Sequence, residues 1–493
     1  LMSLKILVHL ADASGRWHLS CKLKSEPKKE DVTMKYARRL WAIGAFVAIL
    51  VFIPFSPGGG AKAMTLEEAV RFGLRNFPGL AGERSGVLAK AEEVGIATSY
   101  HLPKLTLSSR YVKTDSPADV FGLKLNREEL SAADFAGIPN SFNNPPSFDT
   151  FVSSIELQVP LFVPKALVGR KIAKKGYESS RLAYERKAEE HARKIVDAYV
   201  GVLTARGYLK AAESAVRDAE EHLKIAERLN EVGVGIYADV LRASVFLSRA
   251  KERLVKAKNG VAVAREALKV AMGTTDEVEV DDSFPLDAEL RDLDYYVSLG
   301  LENRRDLSAM EKRVEMAKKG VRYEQAGYLP NVAAFGQVEV NGSSSPFDDD
   351  ADAYRVGVAL TWDLFDGLGR EKRIKKARYM EKSAEKYLEA MRSYVRFEVK
   401  RAYLGVKSAR ARWEIAKSSL KSAKEGLRLV RGRYENSLAR MVELLDAQTA
   451  LDVARADEVR ARNDYYLALA DLYTSCGALL QRLGLEKYLE VSR

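Results

Sequence analysis

Sliding the 493-residue sequence over itself by 227 positions lays "LEEAVRFGLRNFPGL" (residues 66–80) on "LDYYVSLGLENRRDL" (residues 293–307). Leu66, Val70, Gly73, Leu74, Asn76 and Leu80 meet identical residues without a gap, and Leu102-Pro103 falls on Leu329-Pro330. Beyond residue 195 the best offset becomes 204: Ala198-Tyr199, Gly201-Val202 and Ala205-Arg206 fall on Ala402-Tyr403, Gly405-Val406 and Ala409-Arg410. The chain is a tandem duplication, and two halves that share a pattern at this length must share a fold. Repeat 1 occupies residues 64–275 and repeat 2 residues 276–493. The change of offset gives repeat 1 23 additional residues. Their natural place is the loop-like "TDSPADVFGLKLNREELSAADFAGIPNSFNNPPSFDT", whose counterpart is the short "NGSSSPFDDDADAY".

Each half reads in one order: a capped helix, a strand, a loop, a strand and two very long helices. Thr65 with Glu68 three residues on forms a capping box at the first helix. In "SSIELQVPLF", Ile155, Leu157, Val159 and Leu161 alternate with Ser154, Glu156, Gln158 and Pro160; in "YRVGVALTWDLF", Val356, Val358, Leu360, Trp362 and Leu364 alternate with Arg355, Gly357, Ala359, Thr361 and Asp363. "LPKLTLSSRYVK" and "LPNVAAFGQVEVNG" supply two less regular strands. A period of two gives one apolar and one polar face. That pattern suits a membrane barrel, with lipid outside and water within, and taken alone it suits a half-buried soluble sheet equally. Four strands cannot close a barrel, and a bilayer tolerates no open sheet edge. The membrane reading therefore requires further copies of the chain.

Small residues recur every seventh position in the long helices. Ala198, Ala205, Ala212, Ala219 and Ala226 form one row and Val202, Leu209, Val216 and Leu223 another; Ala402, Ala409, Ala416 and Ala423 repeat it beside Val406, Trp413, Leu420 and Leu427. The returning helices carry Ala243, Ala250, Ala257, Ala264 and Ala271, then Ala447, Ala454, Ala461 and Ala468. A strict seven-residue repeat imposes left-handed supercoiling, and one small and one large row let neighbouring helices approach closely. The period fits a plain antiparallel coiled coil as well as a tube of helices. From Lys165 to about Asn230 the chain has no proline, enough helix to extend roughly 100 Å at 1.5 Å per residue.

The N-terminus carries an address. "MKYARR" from Met34 supplies basic residues, "LWAIGAFVAILVFIPF" an apolar stretch and Ala61-Lys62-Ala63 a small-x-small cleavage site. Residues 34–63 thus read as a secretory signal, and residues 1–33, which open on Leu1, as a leader from a start placed too early. The formal charge of +11 does not point to nucleic acid: from Met64 onward 69 basic residues face 64 acidic ones, interspersed as on solvated helix faces. Cys21 and Cys476 leave no disulfide in a processed chain, and the histidines are scattered without ligand spacing, so neither a metal nor a cofactor is expected. No nucleotide loop or catalytic triad appears, and an enzyme is not expected.

The duplicated order, the "LP" strand entries, the Ala-rich hairpins and the turns "EVGVGIYADVLRA" and "ENSLARMVELLDA" together resemble the outer-membrane efflux duct family of TolC-like outer membrane factors. The resemblance covers essentially everything after Met64. It implies a mainly α, α+β membrane protein whose four transmembrane strands and coiled-coil helices assemble as a homotrimer, a β-barrel in outer-membrane lipid continued by an α-helical barrel through the periplasm of a Gram-negative-type cell. Such a duct serves efflux or type I secretion passively, docked to a periplasmic adaptor and an inner-membrane transporter. A soluble periplasmic coiled-coil scaffold or adaptor is the alternative; it leaves the alternating strands without a purpose.

Residues carry over at the turns. The family's docking tips fall on Val232, Gly233, Val234 and Gly235, and on Ser437 and Leu438, with Ser437 where the family has glycine. Its acidic ring at the closed periplasmic end falls on Glu443 and Asp446, one helical turn apart and so able to share a face. Its gate latch falls on Tyr434 and Asp239; the family's arginine is Ala439 here, with Arg440 adjacent as the substitute.

Overall fold

The computed structural model describes residues 63–488 apart from Gly137, Asp287, Ala288, Asp349 and Asp350. The expected leader and all of the signal except Ala63 lie outside the described residues. Repeat 1 runs α1 (Leu66–Asn76), α2 (Pro78–Ser99), β1 (Lys104–Thr114), three short helices α3 (Pro117–Asn126), α4 (Ala132–Phe135) and α5 (Asn140–Asn143), β2 (Phe148–Phe162), α6 (Pro164–Glu231) and α7 (Tyr237–Met272). Repeat 2 runs α8 (Leu293–Asn303), α9 (Arg305–Gln325), β3 (Asn331–Gly342), β4 (Ala351–Thr361), α10 (Gly369–Glu435) and α11 (Met441–Ser475), followed by the short α12 (Leu479–Arg482).

The capping box forms as expected: Glu68 N–H donates to Thr65 Oγ1 at 3.2 Å and Thr65 N–H to Glu68 Oε2 at 2.9 Å. Each repeat then opens with two helices where the periodicity predicts one. Pro78 lacks an N–H and pushes the preceding residue out of the helical region, so Phe77 sits at φ −68°, ψ 118°. Repeat 2 has no proline there, yet Arg304 takes nearly the same angles, φ −64°, ψ 113°. Its guanidinium, 3% exposed, is held by Asp306 at 2.5 Å and by Glu398 of α10. A buried ion pair does in repeat 2 what a pyrrolidine ring does in repeat 1.

The expectation of two very long helices in each half holds for the first of each pair and is corrected for the second. α6 and α10 hold 68 and 67 residues, but the returning α7 and α11 hold only 36 and 35. α7 stops at Gly273, whose φ of 72° is the left-handed conformation glycine adopts without penalty. Each long helix is flanked near its tip by α7 or α11 and near the sheet by α2 or α9. Ala219, Ala226, Ala243, Ala250, Ala409, Ala416, Ala454 and Ala461 are buried along these seams. The seven-residue spacing therefore marks lines of close helix approach.

The main core lies where α1 and α8 cross the long helices. Leu66, Val70, Ile195, Tyr199, Leu268, Met272, Tyr296, Val399 and Leu472 are almost fully buried there. The duplicated Gly73 and Gly300 have a physical reason. A Cβ on Gly73 would stand 2.4 Å from Ile195 Cδ1, and one on Gly300 3.0 Å from Val399 Cγ2. Ile195 and Val399 are themselves 204 positions apart, so both repeats seat a short helix on a long one through the same glycine contact.

The sheet is antiparallel in the order β1-β2-β3-β4, which leaves one edge of β1 and one of β4 unpaired within the chain. Its register aligns Leu107, Ile155, Val338 and Tyr354 across one face and Ser108, Ser154, Glu339 and Ala353 across the other. The apolar face is bare: Leu105, Val356, Val358 and Leu360 are 70%, 79%, 66% and 63% exposed. β4 ends at Thr361, short of the alternation read through Trp362 and Leu364. There Arg370 donates to the carbonyls of Gly327 (2.8 Å), Asp363 (3.0 Å) and Leu364 (3.2 Å), and Trp362 Nε1 to that of Tyr328 (3.0 Å), turning the chain into α10. No described helix is long and apolar enough to cross a membrane.

Candidate functional site

Each helical hairpin reverses over five residues at the end farthest from the sheet. In repeat 1 the Leu229 carbonyl accepts from Val234 N (3.0 Å) and Gly235 N (2.8 Å), closing the turn after α6. Gly233 has φ 76°. A Cβ on Gly235 would stand 3.0 Å from Asn230 N. In repeat 2 Leu438 N donates to the Arg433 carbonyl at 2.7 Å and Ser437 N to that of Tyr434 at 2.9 Å. Ser437 takes φ 62°. The serine thus adopts the left-handed conformation of the glycine it replaces, at a steric cost of about 1–2 kcal/mol. Val232, Val234, Ile236, Tyr237 and Leu438 stand out from the turns, each at least 60% exposed.

Behind the turns lies a second, small core. Tyr434, 4% exposed, is buried with Ile225, Ala226, Ala243, Met441 and Leu444, so it sits between the two hairpins. Burial, and next the nearby Asp239 carboxylate, push its phenol up to about 12. The Asp239 carboxylate accepts from Arg242, one turn along α7, at 3.0 Å. Among the described residues no hydrogen bond joins Tyr434 to Asp239; the carboxylate acts on the phenol only electrostatically, and its bonded partner is Arg242. Arg440 lies with the acidic pair: its Nε donates to Glu443 Oε1 at 3.2 Å, and this bond chiefly holds the Glu443 carboxyl below its usual range. Asp446 is exposed and forms no ion pair among the described residues.

A polar cluster several turns above the tips was not anticipated. His222, 1% exposed on α6, hydrogen-bonds through Nε2 to Gln448 Oε1 of α11 at 2.9 Å. Gln448 Nε2 donates to Asp218 (3.0 Å) and Asp452 (2.9 Å), and Arg455 Nη1 to Asp218 (2.7 Å). Arg431 of α10 reaches Glu221 of α6 at 2.8 Å. These bonds tie hairpin to hairpin beside the tyrosine. The signal was available in the heptads: Ala215, Ala219, His222 and Ala226 follow the four-three-four spacing of a coiled-coil seam, and a polar residue there specifies pairing. Among the described residues no group of three or more candidate ligands could hold a metal ion.

The outer membrane efflux protein family matches residues 74–274 and 296–478 of the chain. Over 457 residues the chain is 24% identical to the alkaline protease secretion protein AprF of Pseudomonas aeruginosa, spanning 90% of this chain and 89% of AprF. Over 435 residues it is 25% identical to protein CyaE of Bordetella pertussis, spanning 87% and 85% of the two chains. The solved structure of the outer membrane protein VceC from Vibrio cholerae superposes with a TM-score of 0.68 at 17% identity, covering 84% of this chain and 96% of VceC.

Proposed function

The chain belongs to the outer membrane efflux protein family, and from that premise we propose that three copies join their open sheets into one barrel and their hairpins into one tube below it. The protein is an outer-membrane exit duct that extends into the periplasm and serves efflux or type I secretion, with no chemical step of its own. Its periplasmic adaptor and inner-membrane transporter supply the energy and choose the cargo; AprF and a second relative, PrtF of Dickeya chrysanthemi, are both named for protease secretion, which favours a protein cargo here.

One observation supports joining the sheets of several copies, three in the reading proposed here: the sheet exposes an apolar face and two unpaired edges. Lipid accepts that face, and only sister strands can satisfy those edges, because each unpaired backbone group in hydrocarbon costs several kcal/mol. The long helices support the same reading. Met380, Tyr387 and Tyr394 form a seven-residue stripe down α10, 60%, 67% and 54% exposed, as a seam awaiting a neighbour requires.

At the far end, Tyr434 and Asp239 form the latch, Glu443 and Asp446 the acidic ring with Arg440 bonded to Glu443 rather than to the latch, and the exposed tip residues, including Val232, Val234 and Leu438, the adaptor contact. In the closed duct Tyr434 holds the hairpins through its burial between them, with the Asp239 carboxylate close by. Arg440 partly offsets the repulsion among the three copies of Glu443. The test is single-channel conductance in planar bilayers. Tyr434→Phe combined with Asp239→Ala raises it; conductance unchanged from the parent removes the latch.

A further inference from the structure

The two repeats match closely in their long elements, 68 residues against 67 and 36 against 35, so the additional residues of repeat 1 stand out. They form α3, α4 and α5 between β1 and β2, at the end of the sheet away from the long helices. In repeat 2 only a short turn joins β3 to β4. The added segment folds back over the sheet, with α3 packed against both β2 and β4.

Its cover falls on the polar face; on the apolar face Ser153, hydrogen-bonded to Ser109, is also buried, 4% exposed. On the polar face at this end, Thr150, Val152, Asn341 and Ala351 are 0%, 6%, 1% and 5% exposed, and Val120 of α3 is 3% exposed. Farther along the same face Ser108, Ala353 and Arg355 are open, and at the covered level Arg110 of β1, opposite Val152, is open too. On the apolar face at the covered level Asp149 and Asp352 remain exposed. The cover is fastened: Arg127 donates to the Asp149 carbonyl at 2.8 Å and lies 4.7 Å over the Phe148 ring. Lys124 bonds Asp134 at 2.7 Å.

We infer that α3 and its flanking turns are an inward-folded stopper that restricts the extracellular mouth of the duct and sets the size of solute that can pass there. This rests on the duct reading, in which the polar face lines the lumen. Twelve strands about 4.8 Å apart and tilted about 40° trace a backbone circle about 24 Å across. A helix laid on that wall has its axis about 10 Å inward, the spacing of packed layers. Three axes that far in would lie about 4 Å apart, closer than the roughly 8–10 Å that packed helices need, so three copies more than fill the mouth and crowd one another toward its wall and rim, narrowing the passage.

The experiment places a cysteine below the stopper, Thr106→Cys on the polar face, in the full-length chain carrying Cys21→Ser. Cys476 is fully buried, with burial pushing its thiol up to about 12, so it stays silent. Intact cells are treated with a small membrane-impermeant maleimide and with a bulky polyethylene-glycol maleimide. The small reagent labels the introduced thiol in every variant. The bulky one labels it at least roughly tenfold faster, a barrier loss of about 1.4 kcal/mol, once residues 117–146 are replaced by the turn sequence of residues 343–348. Val120→Asp, which undocks α3 without shortening the chain, gives the same rise. Bulky labelling equally fast with the segment intact and docked overturns the stopper. Failure of the small reagent to reach the introduced thiol overturns the water-filled lumen, and with it the duct reading itself.

Discussion

Val356 and Ala353 lie on one strand and face opposite ways, and replacing each with arginine separates the two faces of the sheet. Val356 is 79% exposed, sits in the middle of β4 and pairs with Gly336. Arginine at the midplane on a lipid face costs about 2–4 kcal/mol, or about 6–12 kcal/mol for three copies in one duct. Per chain that is roughly a 30- to 700-fold shift against the inserted state at about 1.4 kcal/mol per tenfold. Ala353 pairs with Glu339 on the polar face, where Arg355 already reaches Glu339 at 3.5 Å. A new arginine there gains a carboxylate neighbour and stays in water. The assay is the fraction of chain recovered in the outer membrane as a heat-modifiable oligomer. Val356→Arg should nearly abolish it, and Ala353→Arg should leave it near the parent level. Equal assembly of the two variants would refute the assignment of lipid to the apolar face.

Neutralising the acidic ring by Glu443→Gln with Asp446→Asn weakens the cation preference and divalent-ion block of the duct; unchanged ion selectivity in bilayers removes these carboxylates from the throat. Ser437→Gly relieves the left-handed strain at the second tip by about 1 kcal/mol, so the Leu438 amide exchanges with solvent about fivefold more slowly; faster exchange contradicts the turn geometry. Glu189 is 3% exposed, and burial raises its carboxyl to about 6 despite Arg186. The fold therefore holds a proton there that the unfolded chain has lost, and stability falls as pH rises from about 4.5 to about 6, by about 2 kcal/mol. Glu189→Gln keeps an acceptor for the Leu479 N–H and removes that slope; parallel melting curves against pH for variant and parent rule it out.

The sequence made the repeated architecture legible because duplication displays each constraint twice. Gly73 and Gly300 recur since each admits a long-helix side chain, and the alanine rows recur since each marks a helix seam. The strands were legible from alternation because their two faces meet different solvents. The break between α8 and α9 was hidden, as Arg304 achieves through a buried ion pair what Pro78 announces openly. The half-length return helices were hidden too, because heptads run as readily through a stacked neighbour as through one continuous helix. The stopper read as loop since α3, α4 and α5 are too short to show a period. At the tips the turns were legible and the side-chain pairing was not: Arg440, expected beside Tyr434 and Asp239, sits three residues from Glu443 and bonds it instead.

The mass of the native particle in detergent micelles bears most directly on the whole account. Open sheet edges and a bare apolar face require further copies of the chain, and the proposed duct predicts three chains per particle, recovered from the outer-membrane fraction and stable only with detergent or lipid. A monodisperse single chain, folded in water without either, would contradict it.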